Sequence, residues 1–315
     1  MRFYGFSSDE INWIQAGLSE IHSLGNELSL SVSFNHDERF GIPEAKINVL
    51  VLYEPPCVMP WQYSKECLST FDLVICLNPW RAERLGFREW EYQPIVKPEP
   101  RKIYMQALDR ELKVVMINAN KFSAISGSGY RLRRETIVQL EKTYSGFHLY
   151  GVGWDMNRLL ELRKRFAAIK EAFKARSTDI DLKEALSEFG RKYSSFKGST
   201  RLKEEVLERA EICLVIENDF NTLSEKLFDA IYSGSVPLYV GPDLTSIEGL
   251  ADCVITAEPD ARKILKTLEG LSFSDLQKRR KAIEKFINSP TSMDFCAPSK
   301  VWKNVGRIIA GSHLY

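Results

Sequence analysis

The alternation of apolar and polar positions predicts short helices and strands in the first hundred residues. Apolar side chains recur every three to four residues after Ser8, which predicts an amphipathic helix capped by that serine. These apolar positions are Ile11, Ile14, Leu18 and Ile21. Three β-rich runs follow, at residues 27–34, 46–53 and 71–77. The last two are almost continuously apolar, which is typical of parallel strands covered on both faces.

The second half of the chain repeats strand and helix in alternation. Its strand-like runs are KVVMINA (113–119), FHLYG (147–151), ICLVIE (212–217) and VPLYV (236–240). Helical patterns separate them, which predicts a doubly wound α/β sheet. Residues 155–196 form a charged helical insertion, whose mixed signs favour a solvated helical hairpin over a nucleic-acid surface. Two further helices are predicted at residues 260–271 and 273–287.

Prolines at 94, 98 and 100 interrupt the pattern and predict a domain boundary near residue 100. We expect an N-terminal domain over residues 1–100 and a C-terminal domain over 101–290. Residues 291–315 would form a tail that packs back on the N-terminal domain. Two αβ halves of this kind make a cleft, and ligands of open parallel sheets bind beyond the carboxyl ends of the strands.

Composition narrows the class of protein. The 315 residues are 44% hydrophobic and 27% charged with a net charge of +1, so we expect no nucleic-acid partner. The six cysteines contain no CxxC pair, which favours buried, reduced thiols in a cytoplasmic protein. No run approaches the ~20 apolar residues of a transmembrane segment, and the first residues lack a secretion signal.

A polar cluster between two of the strands carries the first candidate chemistry. Glu217 and Asn218 end the run ICLVIE, and Glu225 and Lys226 begin the next helix. A helix amino terminus with an added lysine stabilises phosphate, and a carboxylate can accept the two hydroxyls of a ribose. The alternative is structural: Thr222-x-x-Glu225 would be a capping box, with Lys226 in water.

A glycine-rich loop is the second candidate. Gly127 and Gly129 precede a helix with Arg131, Arg133 and Arg134 in its first turn, where positive charge opposes the helix dipole and an anion would offset it. The loop matches neither a Walker A motif nor a full GxGxxG, so solvated arginines are the alternative.

Glu54 is the third candidate. It follows the apolar run 49–53 and precedes Pro55 and Pro56, which keep the chain extended. A carboxylate held at the carboxyl end of a strand is well placed to act as a general base. An unremarkable surface glutamate is the alternative.

The stretch CLVIENDFNTLSEKLFDAIYSGSVPLYVGP (213–242) resembles the signature of the alpha-1,3-fucosyltransferases, glycosyltransferase family 10. Members of that family read F-E-N-S, then D-Y-V-T-E-K, a helix and G-x-x-P-V-x-x-G. The similarity is strongest over residues 110–245 and extends to YEPPCVMP at Tyr53–Pro60, which resembles the family's E-S-P-x-x-x-P segment. Thr222 stands where the family has a tyrosine, and the neighbouring loop is shorter.

The resemblance implies a GT-B type fold, in which two Rossmann-like αβα domains face a central cleft. The C-terminal domain would bind the nucleotide sugar and the N-terminal one the acceptor. The resemblance also implies an inverting transfer of L-fucose from GDP-fucose to a glycan hydroxyl, with Glu54 as base and no required divalent metal. The donor-binding residues it implies are Arg133, Asn218, Thr222, Glu225 and Lys226. Further possible donor contacts are Arg131, Arg134, Lys203, Glu217 and Asn221.

Two alternatives to this function stay open. One is a GT-B transferase that uses another nucleotide sugar, such as a UDP-sugar. The other is a non-catalytic glycan- or nucleotide-binding subunit. Either catalytic interpretation predicts a soluble cytoplasmic enzyme, which would work at the inner membrane face if its acceptor is lipid-linked. The sequence leaves open the acceptor, the linkage and the oligomeric state.

Overall fold

The computed structural model describes residues 1–21, 30–34, 46–76, 110–177, 180–295 and 297–312. The predicted proline-rich boundary and the start of the run 27–34 lie outside these ranges. The chain divides into two compact units. The first comprises Met1–Pro98, Phe173–Thr178 and Asp294–Tyr315, and the second Glu99–Ala172 and Asp179–Met293.

The first unit contains a four-stranded parallel sheet with the order β1-β2-β3-β4. Its strands are β1 (Arg2–Tyr4), β2 (Leu30–Phe34), β3 (Ile47–Leu52) and β4 (Leu73–Cys76). Five of the six residues of β3 are buried, as the continuous apolar run predicts. Strand β1 was not predicted, because three residues are too few to show a period.

Two helices from opposite ends of the sequence pack together in the first unit. They are α1 (Ser8–Ile21) and α11 (Pro298–Ala310). Gly17 and Gly306 allow this contact, since a Cβ on Gly17 would lie 2.0 Å from the Lys303 carbonyl oxygen. The predicted cap of α1 is one residue off: Ser8 starts the helix, and Ser7 Oγ accepts from the Glu10 amide at 3.4 Å.

The second unit contains a five-stranded parallel sheet with the order β6-β5-β7-β8-β9. The strands are β5 (Leu112–Ile117), β6 (Phe147–Tyr150), β7 (Ala210–Ile216), β8 (Val236–Val240) and β9 (Ile255–Thr256). The chain moves from β5 to β6 on one side and then to β7 on the other. The order therefore reverses between β5 and β7, and such a switch point is where doubly wound sheets bind ligands.

Helices connect these strands, as the sequence pattern predicts. They are α3 (Gly129–Thr143), α4 (Arg158–Lys174), α5 (Leu182–Leu186), α6 (Lys203–Leu207), α7 (Glu225–Tyr232), α8 (Ala261–Glu269) and α9 (Phe273–Ile287). Short helices α2 (Lys65–Leu68) and α10 (Pro290–Phe295) complete the set among the described residues. The α/β class with two parallel-sheet units is confirmed, and this is the pair of units that a GT-B fold requires.

The charged insertion is helical, as predicted, but it is not fully solvated. Helix α4 has 17 residues, whereas α5 has five. The charges are also not all in water, because Arg165 is fully buried and pairs with the buried Glu161. The Arg165 guanidinium lies 4.3 Å from the centroid of the Phe122 ring. A buried ion pair with a cation–π contact therefore attaches this helix to the unit. None of the helices in the described ranges is long and apolar enough to span a membrane.

Candidate functional site

Two loops meet at the switch point of the second unit: one follows β5 and the other follows β7. The Gly129 amide donates to the Asn218 carbonyl oxygen at 2.8 Å, and the Phe220 amide donates to that of Gly127 at 3.3 Å. A Cβ on Gly129 would lie 1.9 Å from the Glu217 carbonyl oxygen. The glycine-rich loop is thus shaped to pack against the end of β7, and glycine at 129 permits the close approach.

A buried carboxylate fixes the start of α7. Glu217 has no exposed surface, and it accepts from the Ser224 amide at 3.0 Å and from Ser224 Oγ at 2.5 Å. Burial raises the pKa of Glu217, although Lys226 and Ser224 act in the opposite direction. Ser224 is the N-cap of α7, but its side chain makes no capping bond to the helix backbone. The alternative Thr222-x-x-Glu225 capping box is therefore not formed, because the N-cap is Ser224 rather than Thr222 and the helix begins at Glu225.

The first turn of α7 presents one cation and one anion. Lys226 Nζ lies 3.1 Å from Ser224 Oγ and 3.5 Å from Glu225 Oε1. The Lys226 side chain is 18% exposed and that of Glu225 is 41% exposed. Burial acts to raise the pKa of Glu225, but Lys226, the backbone and Lys203 together lower it. Glu225 is therefore an ionised hydrogen-bond acceptor beside a helix amino terminus.

A second ion pair lies one helical turn further along. Lys203, at the start of α6, donates to Asp229 Oδ2 at 3.0 Å. Burial disfavours its ammonium, yet Asp229 raises the pKa of Lys203. Burial raises the pKa of Asp229 despite this partner.

Both lysines line a small pocket. The pocket is lined by Ile117, Asn118, Lys203, Leu207, Cys213–Val215, Lys226 and Asp229. The structure therefore brings Lys203, Glu225 and Lys226 together beside the carboxyl ends of β5 and β7. Two ammonium groups near a helix amino terminus can hold a phosphate, and the two carboxylates can accept hydroxyl donors.

Arg133 is buried under the loop that follows β7. Arg133 is 2% exposed, and its Nε donates to the Ile216 carbonyl oxygen at 2.9 Å. Nη2 donates to Asn218 Oδ1 at 2.9 Å and also to the Ile216 carbonyl. The predicted Arg133 and Asn218 thus contact each other. Carbonyl and amide oxygens therefore accept hydrogen bonds from Arg133, and the binding of an anion to this arginine stays a prediction.

Arg134 and Arg131 lie away from the pocket lining. Arg134 is 1% exposed and donates to the carbonyl oxygens of Lys121 and Glu184 and to Ser187 Oγ. Burial, followed by the nearby Arg165, lowers the pKa of Arg134 to about 10. Arg131 is partly exposed and pairs with Glu135 at 2.7 Å on the same helix. Arg134 therefore links α3 to α5, and Arg131 forms a surface ion pair.

Thr222 and Asn221 belong to the turn that leads into α7. Their amides donate to the backbone oxygen and to Oδ1 of Asp219, at 3.0 and 2.8 Å. Thr222 is 5% exposed, so little of its surface reaches solvent. In the first unit, Glu54 lies two residues beyond β3 and is partly buried. Its backbone oxygen accepts from Gln62 Nε2 at 2.9 Å and from the Tyr63 hydroxyl at 2.7 Å, which fixes the chain at this position.

Three polar residues of the site were missed in the sequence. Asp229 lies four residues after Glu225 and three after Lys226, a spacing that places it on the same side of a helix. Asn118 directly follows an apolar strand, as Glu217 does. Asp229 could therefore have been found from its helical spacing, and Asn118 from its position after a strand. The role of Ser224 could not, since it depends on contact with a carboxylate seven residues away.

Comparisons with known proteins give limited likenesses. No protein-family model matches the sequence, and no curated protein matches it. The solved structures that resemble it include an alpha,alpha-trehalose-phosphate synthase (UDP-forming) from Burkholderia vietnamiensis, with 12% identity, coverage of 97% of this chain and 80% of that one, and a TM-score of 0.46. A glycosyltransferase from Rickettsia africae has 10% identity, coverage of 96% and 82%, and a TM-score of 0.45. WaaG, a glycosyltransferase involved in lipopolysaccharide biosynthesis, has 16% identity, coverage of 97% and 78%, and a TM-score of 0.39. TM-scores below 0.5 assign no activity to this chain.

Proposed function

We propose that this chain is an inverting glycosyltransferase that transfers L-fucose from GDP-fucose to a hydroxyl of a glycan. One observation carries the proposal: the motif around Glu225 and Lys226 lies at the amino terminus of α7, beside a pocket that Lys203 and Asp229 also line. The sequence resemblance to the alpha-1,3-fucosyltransferases supports the choice of donor. Lys203 and Lys226, which the resemblance implies as donor contacts, both line this pocket, and this supports the proposal.

The diphosphate of the donor would be bound by Lys226 and Lys203 at the amino terminus of α7. In the structure Lys226 pairs with Glu225, and Lys203 pairs with Asp229. A phosphate would share these ammonium groups, and the two carboxylates would keep them in place. Glu225, as an ionised acceptor with 41% of its side chain exposed, would bind the ribose hydroxyls.

In the proposed reaction, Glu54 removes the proton from the acceptor hydroxyl while that oxygen attacks the anomeric carbon. The bond from that carbon to the diphosphate oxygen breaks, and its electron pair leaves with the nucleotide diphosphate. Lys226 and Lys203 then face more negative charge than in the ground state, which stabilises the transition state. Arg133 would act indirectly, because it fixes the backbone at Ile216 and the side chain of Asn218.

Nucleotide binding tests the donor side of the proposal. We expect GDP to stabilise the protein against heat, and we expect Lys226→Met to weaken GDP binding about 10- to 150-fold, the value of a charge-assisted hydrogen bond of ~1.5 to 3 kcal/mol. Lys281→Met is the matched control, since Lys281 is an exposed lysine of α9 in the same unit. Stabilisation by UDP but not by GDP would reject GDP-fucose as donor. No stabilisation by GDP, UDP, ADP or CMP would reject a nucleotide site.

Turnover tests the base. We expect Glu54→Gln to keep GDP affinity within about twofold while transfer falls by ~10²- to 10⁴-fold, since general base catalysis contributes in that range. Glu66→Gln, an exposed glutamate of α2 in the same unit, is the control. Near-normal transfer by Glu54→Gln excludes this residue as the base. GDP binding without donor consumption on any glycan acceptor would favour a non-catalytic binding subunit.

A further inference from the structure

Helix α4 carries an exposed apolar stripe along its length. Leu159, Phe166 and Phe173 are 60%, 59% and 60% exposed, and they lie seven residues apart. Leu162 and Ile169 lie between them and are half-buried. This places five large apolar side chains on one side of a helix of 17 residues. Such a contiguous exposed stripe marks an interaction surface.

The stripe lies beside the face by which α4 is held. At ~100° per residue, the buried Glu161, Arg165 and Ala172 occupy one face, and Leu162, Phe166 and Leu159 lie about 60° to 120° round from Arg165. The ion pair of Arg165 with Glu161, its bond to the Ala185 carbonyl and its contact with Phe122 fix this orientation. The apolar stripe is therefore held outward by buried contacts on the adjacent face.

Basic side chains border the stripe on its other side. Arg163 and Lys170 lie about 140° to 160° round from Arg165 and are both exposed. Residues 158–176 include six exposed Lys or Arg residues but one exposed Glu. The exposed basic residues are Arg158, Arg163, Lys164, Lys170, Lys174 and Arg176. The whole chain has a net charge of +1, so the rest of it is net acidic.

We propose that α4 is an interfacial helix that docks this protein on the surface of an anionic lipid bilayer. Leu and Phe on one side with Lys and Arg beside them is the arrangement by which a helix lies in the plane of a membrane surface. Apolar side chains enter the boundary between headgroups and acyl chains, and the basic residues contact anionic headgroups. The inference is independent of the proposed donor and reaction.

A second copy of the chain is the other occupant that the spacing suggests. The positions 159, 162, 166, 169 and 173 follow a heptad pattern, but only over about two heptads, whereas coiled coils need three to four. The basic residues beside the stripe would also repel their counterparts in a parallel partner. An anionic lipid bilayer accommodates the apolar stripe in its acyl-chain boundary and attracts the basic residues beside the stripe.

Vesicle flotation tests the proposal with the full chain. We expect binding to vesicles of phosphatidylcholine mixed with phosphatidylglycerol and little binding to phosphatidylcholine alone. Leu159→Ser combined with Phe166→Ser should weaken vesicle binding at least ~10-fold. Arg163→Gln combined with Lys170→Gln should weaken it by about fivefold per charge, an effect that added salt reproduces in the wild type.

Matched controls lie on α9, which belongs to the same unit as residues 158–172 of α4. Phe273 is 53% exposed, so Phe273→Ser removes a comparable exposed aromatic ring. Lys281→Gln combined with Lys285→Gln removes two exposed charges. We expect both controls to bind vesicles as the wild type does, and all variants to keep its thermal stability and GDP affinity. That last measurement separates loss of docking from failure of the donor site.

Three results would overturn the proposal. The first is no binding of the wild type to anionic vesicles. The second is equal binding by the Leu159→Ser, Phe166→Ser double variant. The third is concentration-dependent dimerisation that this double variant abolishes in the absence of vesicle binding, which would assign the stripe to a second copy of the chain.

Discussion

Arg134 and Arg131, three residues apart on α3, should lose very different amounts of stability on the same substitution to alanine. Arg134 is 1% exposed, and its guanidinium donates to the Lys121 oxygen at 3.0 Å, the Glu184 oxygen at 2.6 Å and Ser187 Oγ at 2.9 Å. Arg134→Ala leaves these acceptors without partners and opens a cavity beside Phe122. Arg131 loses only an exposed pair with Glu135.

The two costs differ by several-fold. Each buried acceptor left without a donor costs about 1 to 3 kcal/mol and the cavity adds to this, so Arg134→Ala should cost about 3 to 5 kcal/mol in total. For a unit of this size each kcal/mol lowers Tm by about 2 to 4 °C, so Arg134→Ala should lower Tm by about 6 to 20 °C. Arg131→Ala should cost less than ~1 kcal/mol, because solvent screens an exposed pair.

Differential scanning calorimetry and GDP titration on both variants separate a structural from a donor-binding role. We expect Arg134→Ala to lose stability, and we expect the protein that remains folded at low temperature to keep GDP affinity within about threefold, since Arg134 does not line the pocket. The reasoning is refuted if Arg134→Ala unfolds within about a degree of the wild type while GDP affinity collapses. Equal loss of stability in both variants would also refute it.

Two further predictions concern the loop that holds α7. Burial raises the pKa of Glu217, so this carboxyl contributes most to stability below its ordinary pKa of about 4.3 and loses that contribution as pH rises through the raised value. Glu217→Gln should remove this part of the decline in denaturant titrations across that pH range, and parallel curves for both proteins would contradict the assignment. Gly129→Ala would place a Cβ 1.9 Å from the Glu217 carbonyl oxygen, so it should lower Tm and weaken GDP binding together. Gly127→Ala is the comparison, because a Cβ there meets nothing within 4 Å while φ is +80°, so it introduces backbone strain without a steric clash. If Gly129→Ala leaves Tm and GDP binding unchanged, the two loops are not packed as described.

Much of the candidate donor site could be predicted because its residues follow local rules. A continuous apolar run predicts β7, and polar residues at its carboxyl end must lie at the ligand-binding edge of a parallel sheet. Glu225 and Lys226 were placed at a helix start by their position after a turn, and α7 does begin at Glu225. Lys203 came from the family resemblance, and the structure places it on the same pocket.

The arginines show where local rules stop. Arg131, Arg133 and Arg134 form one cluster in the sequence, yet one is in a surface pair, one fixes the end of β7 and one links α3 to α5. Adjacent helix positions point about 100° apart, so neighbours in sequence meet different surroundings. For Arg133 and Arg134 these surroundings include segments 50 or more residues away, whereas Arg131 pairs within its own helix.

The sequence by itself determined the class of fold, most of the longer strands and helices, and the polar ends of the strands where chemistry is expected. Periodicity and breakers act over a few residues, so they can be read without the tertiary structure. Only the tertiary structure decided that Glu217 is buried against Ser224, that Lys203 pairs with Asp229 and that α4 holds an apolar stripe in solvent. Each of these depends on which distant segments pack together, and that packing sets burial, charge partners and exposure at once.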